Sequence, residues 1–501
     1  MDAILYWNDV ALEANRVSHT NGRMEQAGPP LSARALAIVH LAMHDAYVEI
    51  DSAAGFAPYL TTHPAPPAGA TTDAAVAGAA HAALWTLFPS QRCYFDTKLA
   101  EFGGALGPGY DFGRQVAQAI LDDRAADPNV GDAGYVPSFA RGRHRSDPDN
   151  PGQPFHAPFY GARSKLFAAT ARHALLAPPA LDTPEYLRAL REVRGRGIAP
   201  DLMGTLPTST AGIRPRTIDQ TVIGLYWGYD GAAGLGTPPR LYNQIVRRVV
   251  IARNETPARM ARLFALVNVA MADAGILCWD EKYKHDLWRP VLGIREHDQS
   301  MGMGTGATDN LSNDTDPGWL PLGAPATNAL NPTFAPPAAG TIAIGTVSIG
   351  TFPFNQATSG RVKNFTPPFP AYPSGHATFG AAALHIVRLF YETPAGDHNP
   401  DALFAGLDFV SDELNGVNQD TRGTVRPRHV RNFTDGLWQM IVENGRSRVY
   451  LGVHWVFDAF AVTNDGDPDL SRNVGGVPLG LTIAEDIFAD GLQKSTVGPR
   501  I

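Results

Sequence analysis

Three short stretches in the second half of the chain combine basic residues with histidines, and these residue types could bind and activate an oxyanion. They are EKYKHDLWRP at 281–290, AYPSGHATFG at 371–380 and SRVYLGVHW at 447–455. Guanidinium groups hold anionic oxygens in pairs, and an ammonium group adds a point charge. One histidine could bond to the central atom while another exchanges protons with a bound oxygen. Together the stretches indicate a pocket for a tetrahedral anion.

The first stretch contains Lys282 and Arg289, which are seven residues apart. This is two helical turns, so the spacing predicts that both side chains point to one face of a helix that ends or kinks near Pro290. Taken alone, such a pair is more typical of a solvated basic surface.

The second stretch is typical of a helix start, with Ser374 as the N-cap of a helix that runs from about Gly375 to Tyr391. The unpaired amides of Ser374 and Gly375, together with the helix dipole, would form a seat for an anion. Without a basic partner the same pattern is an ordinary cap, and His376 is an ordinary half-exposed histidine.

The third stretch contains Arg448 and His454, six residues apart. On a continuous helix they would lie roughly 120° apart, so they share a site only if the helix breaks between them. Gly452 is the predicted break, as a left-handed residue after the helix end. The alternative is a plain helix end with a histidine near the last carbonyl groups.

Apolar residues recur with helical spacing in many windows, which predicts a mostly helical chain. The windows are 32–50, 74–87, 114–126, 216–228, 240–253, 257–288, 376–391, 433–450 and 481–492. Connections rich in Gly and Pro occupy 127–160 and 298–373, and segment 341–353 has the alternation of a small hairpin. We therefore predict an all-α fold of two helical bundles with long loops. The bundles would be residues 1–195 and residues 196–501, with the anion site in the second.

The composition excludes some classes of protein. A formal net charge of −8 argues against nucleic-acid binding, because phosphate contacts demand a basic surface. Cys93 and Cys278 lie far apart in apolar surroundings, which predicts two buried thiols rather than a disulfide or a thiolate metal site.

The most apolar long segment, 261–279, does not have the composition of a lipid-exposed helix. It contains Arg262, Asn268 and Asp273, which such a helix would not tolerate. We therefore expect no membrane partner. The N-terminus lacks the pattern of a secretory signal, which leaves the location open between the cytoplasm and secretion by another route.

Two weaker patterns could be mistaken for metal sites. His40 and His44 are one helical turn apart, but the glutamate of a metalloprotease motif is missing, and Arg34 and Asp45 favour ordinary pairing. The acidic stretch 309–318 lacks the ligand spacing and the closing Glu of an EF-hand loop, so only a weak calcium site stays open.

The stretches KYKHDLWRP, PSGH and SRVYLGVHW resemble, in order, the signature shared by vanadium-dependent haloperoxidases and the type 2 phosphatidic acid phosphatase superfamily. Segments outside the signature are also similar to the fungal vanadium chloroperoxidases, among them NDVALEANRVSHT, FHAPFYG, GLYWGYDG and PGWLPLGAPATN. Soluble acid phosphatases carry the signature too, so this wider coverage is what favours the haloperoxidases.

The resemblance implies a vanadate cofactor in the pocket, with neither haem nor flavin. His454 would bond to the metal, and His376 would act as acid and base at the apical oxygen. Asp230 would pair with Arg448 and orient it. Lys282 would also polarise bound peroxide. The equatorial oxygens of vanadate would be held by Lys282, Arg289, Ser374, Gly375 and Arg448.

By the same resemblance, the chain would oxidise chloride, bromide or both with hydrogen peroxide to hypohalous acid, which halogenates a small organic acceptor. Phe369 and Trp279 would line the halide side, where bromide-preferring relatives tend to have a histidine in place of Phe369. The close relatives suggest a monomer. The alternative is a soluble acid phosphatase in which His454 attacks phosphorus and His376 protonates the leaving group.

One departure from the resemblance concerns the connection between the first two stretches. It is longer than in the fungal enzymes, and the excess lies in residues 330–363. This segment leads directly into the PPFP loop beside the predicted site, so halide preference is the property that it would affect most.

Overall fold

A computed structural model describes residues 2–298 apart from 63, 104–106, 208 and 231–233, then 314–327, the strands 342–344 and 347–349, and 364–501 apart from 421 and 422. Helices dominate these ranges, which confirms the all-α class. The helices are α1 Ala3–Ser18, α2 Pro29–Ile50, α3 Thr72–Leu87, α4 Arg92–Phe102, α5 Gly107–Asp123, α6 Tyr160–Arg163, α7 Pro184–Arg196, α8 Ile218–Tyr226, α9 Pro238–Ala252, α10 Pro257–His285, α11 Pro290–Arg295, α12 Gly375–Phe390, α13 Gly436–Tyr450 and α14 Gly476–Asp490.

The β-structure consists of short antiparallel pairs. The predicted hairpin is present as β1 Ile342–Ile344 and β2 Val347–Ile349, with Ala343 opposite Ser348. Two further pairs were not anticipated: β3 Leu407–Phe409 with β4 Arg431–Phe433, and β5 Ala461–Val462 with β6 Pro468–Asp469. The rest of the predicted insertion 330–363 lies outside the described residues.

Apolar spacing predicts most of the long helices but not α1, α4 or α7. In α1 the pattern is interrupted by polar side chains that are buried, among them Asn8 and Asn15. Asn15 donates to Ser32 at 2.8 Å, so its polarity is satisfied by α2 rather than by water. A buried polar residue with a distant partner has no signature in a hydropathy pattern.

Helix α10 is the central element, since it packs against α2 on one side and α12 on the other. Within the described part of the chain it alone is long and apolar enough to cross a membrane, and 94% of its most apolar window is buried inside the protein. Its polar residues have partners on other elements, as expected for a core helix. Asn268 and Asn243 of α9 exchange hydrogen bonds, and Arg262 donates to the carbonyl of Gly491.

Asp273 anchors the loop after α6 to α10. Its carboxylate is fully buried and accepts from the backbone N–H groups of Phe167, Ala168 and Ala169 at 2.6, 2.9 and 2.7 Å. Its removal would orphan these three donors, which have no other partner among the described residues. One side chain in the middle of the longest described helix therefore satisfies three donors of this loop.

We expect Asp273→Ala to lower the free energy of unfolding by at least about 3 kcal/mol, because each orphaned buried donor costs about 1–3 kcal/mol. Denaturant-induced unfolding followed by circular dichroism would measure the loss. Asp111→Ala is the control, since that side chain is 71% exposed and makes only a loose ion pair. Equal stability of the two variants would contradict the anchoring role.

Helix α12, whose N-terminus was predicted to seat the anion, is held by a close approach of α14. A Cβ atom at Gly480 of α14 would lie 2.4 Å from the carbonyl oxygen of Thr378. Only glycine permits this contact, and it fixes the first turns of α12. The main hydrophobic cluster contains residues from both halves of the chain, and the division at residue 195 stays a prediction.

The structure also tests the smaller sequence expectations. Cys278 is buried, but the prediction for Cys93 was wrong: it is exposed on α4, of which Phe95 is the buried residue. His40 and His44 are buried, and His40 bonds to Asn8 and His44 to Asp45, as expected for histidines with a structural role.

The possible calcium site falls largely outside the described residues, which omit 309–313. Asp314, which is described, makes a two-point ion pair with Arg191 at 2.7 and 2.9 Å. No group of three or more His, Cys, Asp or Glu side chains in the described ranges is arranged to hold a metal ion.

Candidate active site

A cavity at the N-terminal end of α12 collects most of the predicted residues. Its wall is formed by residues from both halves of the chain: Pro29, Asp230, Pro238, Trp279, Pro367, Phe369, Gly375, His376, Phe379, Arg448 and His454. Lys282, Arg289 and Ser374 do not border it but lie in the layer behind, where each contacts the loops that carry the wall. The three distant stretches therefore do converge.

The helical spacing argument for Lys282 and Arg289 was wrong. Helix α10 ends at His285, because Asp286 adopts a left-handed conformation with φ 53°. Arg289 instead precedes the short helix α11, in which Pro290 is the first residue. Proline is favoured there because its missing N–H is not needed in a first helical turn. A turn, and not a shared helix face, brings the two cations together.

Lys282 is buried beneath the loop that leads into α12. Its ammonium group donates to the carbonyl oxygens of Pro370 at 2.9 Å, Ala371 at 3.2 Å and Pro373. Three acceptors match its three N–H donors, so the lysine ties down this loop. Burial lowers the pKa of Lys282 to about 7. Its positive charge is therefore costly without a nearby anion.

Arg289 touches both the loop and His454. Its Nε donates to the carbonyl of Phe369 at 2.8 Å, and its Nη1 to the carbonyl of Val453 at 2.7 Å. Nη1 also lies 2.9 Å from Nε2 of His454. Burial, with a further contribution from the charge of Arg448, lowers the pKa of Arg289 to about 9.

The predicted cap at the start of α12 is present, but one of its amides is already engaged. Ser374 is the N-cap residue, and its hydroxyl oxygen accepts from the N–H of Ala377 at 3.5 Å. Its own N–H donates to the carbonyl of Asp458 at 2.8 Å, so this amide is not unpaired as the sequence suggested, and the contribution of Ser374 to anion binding stays a prediction. The Gly375 amide has no acceptor within the described ranges, and Gly375 borders the cavity.

His376 follows in the first turn of α12 and borders the cavity. Its Nε2 lies 2.6 Å from the carbonyl oxygen of Gly228, and a carbonyl can only accept. This assigns the proton to Nε2 and leaves the lone pair on Nδ1. Burial and the charge of Arg448 keep the pKa of His376 well below its usual value, which favours the neutral form of the ring.

Arg448 reaches the cavity from the last turn of α13. Its two terminal nitrogens bond to the two carboxylate oxygens of Asp230, with 3.2 Å between Nη1 and Oδ2. This is the expected pairing between the two residues. Helix α13 ends at Tyr450, and Gly452 has φ 74°, which confirms the predicted break. The break turns the chain so that His454 faces the same cavity as Arg448.

His454 is held between a carboxylate and a guanidinium. Its Nδ1 lies 2.7 Å from Oδ2 of Asp458, and its Nε2 faces Arg289. Because a guanidinium only donates, Nε2 carries the lone pair and Nδ1 carries the proton. Burial and the charge of Arg289 keep the pKa of His454 well below its usual value. The site therefore presents an imidazole nitrogen that is ready to bind an electrophile.

Phe369 and Trp279 form the apolar part of the wall. Their ring centres are 4.9 Å apart, and Trp279 is almost fully buried. His156 packs edge-on against Trp279 from behind, with 6.1 Å between the ring centres. One side of the cavity is therefore cationic and the other side is aromatic.

Comparison with known proteins explains this arrangement. Two family models match the chain: the vanadium chloroperoxidase N-terminal domain over residues 1–166 and the VCPO second helical-bundle domain over residues 262–468. A vanadium chloroperoxidase from Curvularia inaequalis is 36% identical, over 98% of this chain and 90% of its own length. The chain belongs to the vanadium chloroperoxidase family.

Solved structures of bacterial vanadium-dependent peroxidases share the fold of this chain. A bacterial vanadium-dependent iodoperoxidase superposes with a TM-score of 0.55 and 17% identity, covering 96% of both chains. An apo-type bacterial vanadium-dependent chloroperoxidase has a TM-score of 0.55 and 15% identity, covering 93% of this chain and 95% of its own. At these identities the likeness concerns the fold alone.

Sequence reasoning missed several residues that position the site in this family member. Asp458, one helical turn after His454, could have been found from its spacing. Its carboxyl has a pKa raised by burial to about 7, and its Oδ2 also accepts from the N–H of Trp455 at 2.9 Å. Tyr242 and Asn444 both donate to the carbonyl of His376, at 2.9 and 2.8 Å. No local pattern marks these last two.

The donors that the protein leaves unused in this vanadium chloroperoxidase family member fit a tetrahedral oxyanion. Nη2 of Arg289 and Nε of Arg448 are buried and have no hydrogen-bond partner among the described residues. Buried N–H groups without partners are rare because each costs free energy. Arg448 borders the cavity, Arg289 contacts His454 from the layer behind it, and the Gly375 amide is a third available donor. The donor set therefore suits an anion with several oxygens.

Proposed function

We propose that this protein is a vanadate-dependent haloperoxidase that oxidises chloride and bromide with hydrogen peroxide. The carrying observation is the position of His454, whose unprotonated Nε2 faces Arg289 beside a cavity that Arg448 and His376 also border. The overall reaction converts a halide, hydrogen peroxide and a proton into hypohalous acid and water. Its cofactor requirement follows from the chemistry of the family.

Vanadate would be held by the donors that are unused in the protein itself. His454 would coordinate it through Nε2, with Nδ1–H kept in place by Asp458. A ligand on Nε2 replaces the hydrogen bond from Arg289 and frees one N–H of Nη1, whose other N–H stays on the carbonyl of Val453, so the guanidinium can donate to oxygens of the anion. Bound vanadate would supply Lewis-acid activation of peroxide. The contributions of Lys282, Ser374 and Gly375 to the same anion stay predictions.

His376 is the group that we propose to move protons. Its Nε2–H is fixed on the carbonyl of Gly228, so Nδ1 is its basic nitrogen. A neutral imidazole at the cavity wall can take a proton from incoming peroxide and return it to the leaving oxygen. Asp230 would act indirectly, since its pairing with Arg448 fixes the direction of that guanidinium.

The aromatic side of the cavity would receive the halide. The rings of Phe369 and Trp279 carry no hydrogen-bond acceptor, and Nζ of Lys282 lies 5.1 Å from the ring centre of Phe369. A weakly hydrated halide is stabilised by nearby positive charge once it leaves water. We propose that this wall receives either chloride or bromide.

The test is halogenation of an organic acceptor in the presence of vanadate, hydrogen peroxide and either chloride or bromide. We expect vanadate-dependent halogenation with both halides and none without peroxide. Hydrolysis of a phosphomonoester is measured in parallel, because a phosphatase would use the same donors and a histidine nucleophile. Brisk hydrolysis without halogenation by either halide would refute the proposal in favour of the phosphatase.

A further inference from the structure

A second, smaller cavity lies behind Arg289, on the side away from His376. Its wall is formed by His144, Arg145, Ser146, Asp147, Gln153, Phe155, Arg289, Val291 and the loop from Thr366 to Pro368. Arg289 borders this cavity and contacts His454, which borders the first. Pro367 borders both. Arg289, His454 and the loop that carries Pro367 therefore lie between the two cavities, and the second has room for about one small occupant.

His144 is placed in this cavity by pairing with the segment that carries Arg289. Its N–H donates to the carbonyl of Asp286 at 2.9 Å, and Trp288 donates to Gly142 at 2.9 Å. Phe155 packs edge-on against the imidazole, with 5.5 Å between the ring centres. The ring is thus held beside Arg289 by backbone hydrogen bonds.

Both ring nitrogens of His144 are buried and have no hydrogen-bond partner among the described residues. His144 as a whole is only 2% exposed. Other buried histidines of this chain do have partners, as His40 does with Asn8 and the carbonyl of Leu36. An imidazole without protein partners in a cavity indicates a ligand that supplies them.

The charges around His144 favour an anion over a neutral molecule. Burial first, and then Arg289, Lys282 and Arg145, keep the pKa of His144 well below its usual value, which means that positive potential surrounds the ring. Asp147 also borders the cavity, and burial raises the pKa of its carboxyl. Glu296 pairs with Arg145, and Asp147 accepts from the N–H of Asp149 at 2.9 Å.

We propose that His144 and Arg289 bind a halide ion in this cavity, as a second halide site next to the oxidation site. The inference rests on the proposed function, because it takes the bound ion to be the substrate of that reaction. One imidazole N–H and the guanidinium donate to the ion, and Phe155 and Val291 cover its remaining surface. From there Arg289 and His454 connect the ion to the cavity that His454 and His376 border.

The test combines a binding readout with kinetics. Vanadate-free crystals are soaked in bromide, and anomalous scattering locates the ion. We expect a bromide peak between His144 and Arg289 that is absent in His144→Phe, whose ring fills the space without a donor. In the holoenzyme we expect His144→Phe to raise KM for bromide about 10-fold while KM for peroxide changes by less than about twofold. His144→Asn, which keeps an N–H donor, should restore part of the loss.

His81→Phe is the matched control, since His81 is also a buried histidine but lies on α3, which does not border the cavity. It should leave both KM values unchanged. Absence of a bromide peak at His144 would overturn the proposal. A peak together with an unchanged KM for bromide in His144→Phe would overturn it too, because it would mean binding at crystal concentration only. The peak is read without turnover, so an enzyme that binds bromide there but halogenates nothing would refute the proposed function and not the anion site.

Discussion

His454→Ala is expected to lower the affinity for vanadate by more than about 100-fold and to abolish halogenation. The ring supplies Nε2, whose lone pair faces Arg289 while Asp458 holds Nδ1. No other nitrogen in the described part of the cavity is placed in this way. Loss of a supporting group around a metal commonly costs 10–100-fold in affinity, so loss of the coordinating atom itself should exceed that range. Titration of vanadate against the tryptophan fluorescence of the purified protein would measure it.

His385 provides a closely matched control for this prediction. It is also fully buried, with Nε2 at 3.1 Å from a carboxylate oxygen of Glu485 and Nδ1 at 3.2 Å from Nη1 of Arg388. His385→Ala therefore also removes a buried imidazole that lies between a carboxylate and a guanidinium, but at a position that does not border the cavity. Its stability should fall while its vanadate affinity is retained. Tight binding of vanadate by the His454 variant would show that another atom is the ligand.

His376→Ala should leave vanadate bound but slow turnover by about 10²–10⁴, the usual contribution of a general acid and base. The hydrogen bond from Nε2 to the carbonyl of Gly228 leaves Nδ1 unprotonated, so the substitution removes the one nitrogen of this ring that can take up a proton. We expect kcat to fall at saturating halide and peroxide, while the dissociation constant of vanadate changes by less than about threefold. Steady-state halogenation kinetics and the same fluorescence titration give the two values.

The control for the second variant is His285→Ala, at the end of α10, where the ring pairs with Glu281 and does not border the cavity. It should not alter kcat. If the His376 variant turned over at the rate of the unmodified enzyme, the proton would have to travel by another route. If the His376 variant also lost vanadate binding, His376 would instead be one of the residues that bind the anion.

The sequence predicted those features of the site that depend on local chemistry. The cap at Ser374 and the break at Gly452 each follow from residue type and position, because helix ends are governed by side-chain caps and by the left-handed conformation. The resemblance to known proteins added Asp230, whose pairing with Arg448 is observed. Most of the long helices follow from their apolar spacing in the same way.

Features that depend on partners distant in sequence could not be predicted. Lys282 and Arg289 are joined by a left-handed turn at Asp286, which apolar spacing cannot reveal. The Ser374 amide is consumed by the carbonyl of Asp458, a residue more than eighty positions later in the chain. Likewise Tyr242 and Asn444 reach the carbonyl of His376 from two other helices. Such contacts exist only once the fold has brought the segments together.

The three buried cations come from three separate elements, and this affects the free energy of unfolding when an anion is bound. Lys282 comes from α10, Arg289 from the turn before α11 and Arg448 from α13, so no fragment of the unfolded chain reproduces their arrangement. An oxyanion that fits them cross-links these elements and binds the native state alone. By linkage, a concentration one hundred times its dissociation constant would add about 2.7 kcal/mol to the free energy of unfolding. The cofactor would then be a folding ligand as well as a reagent.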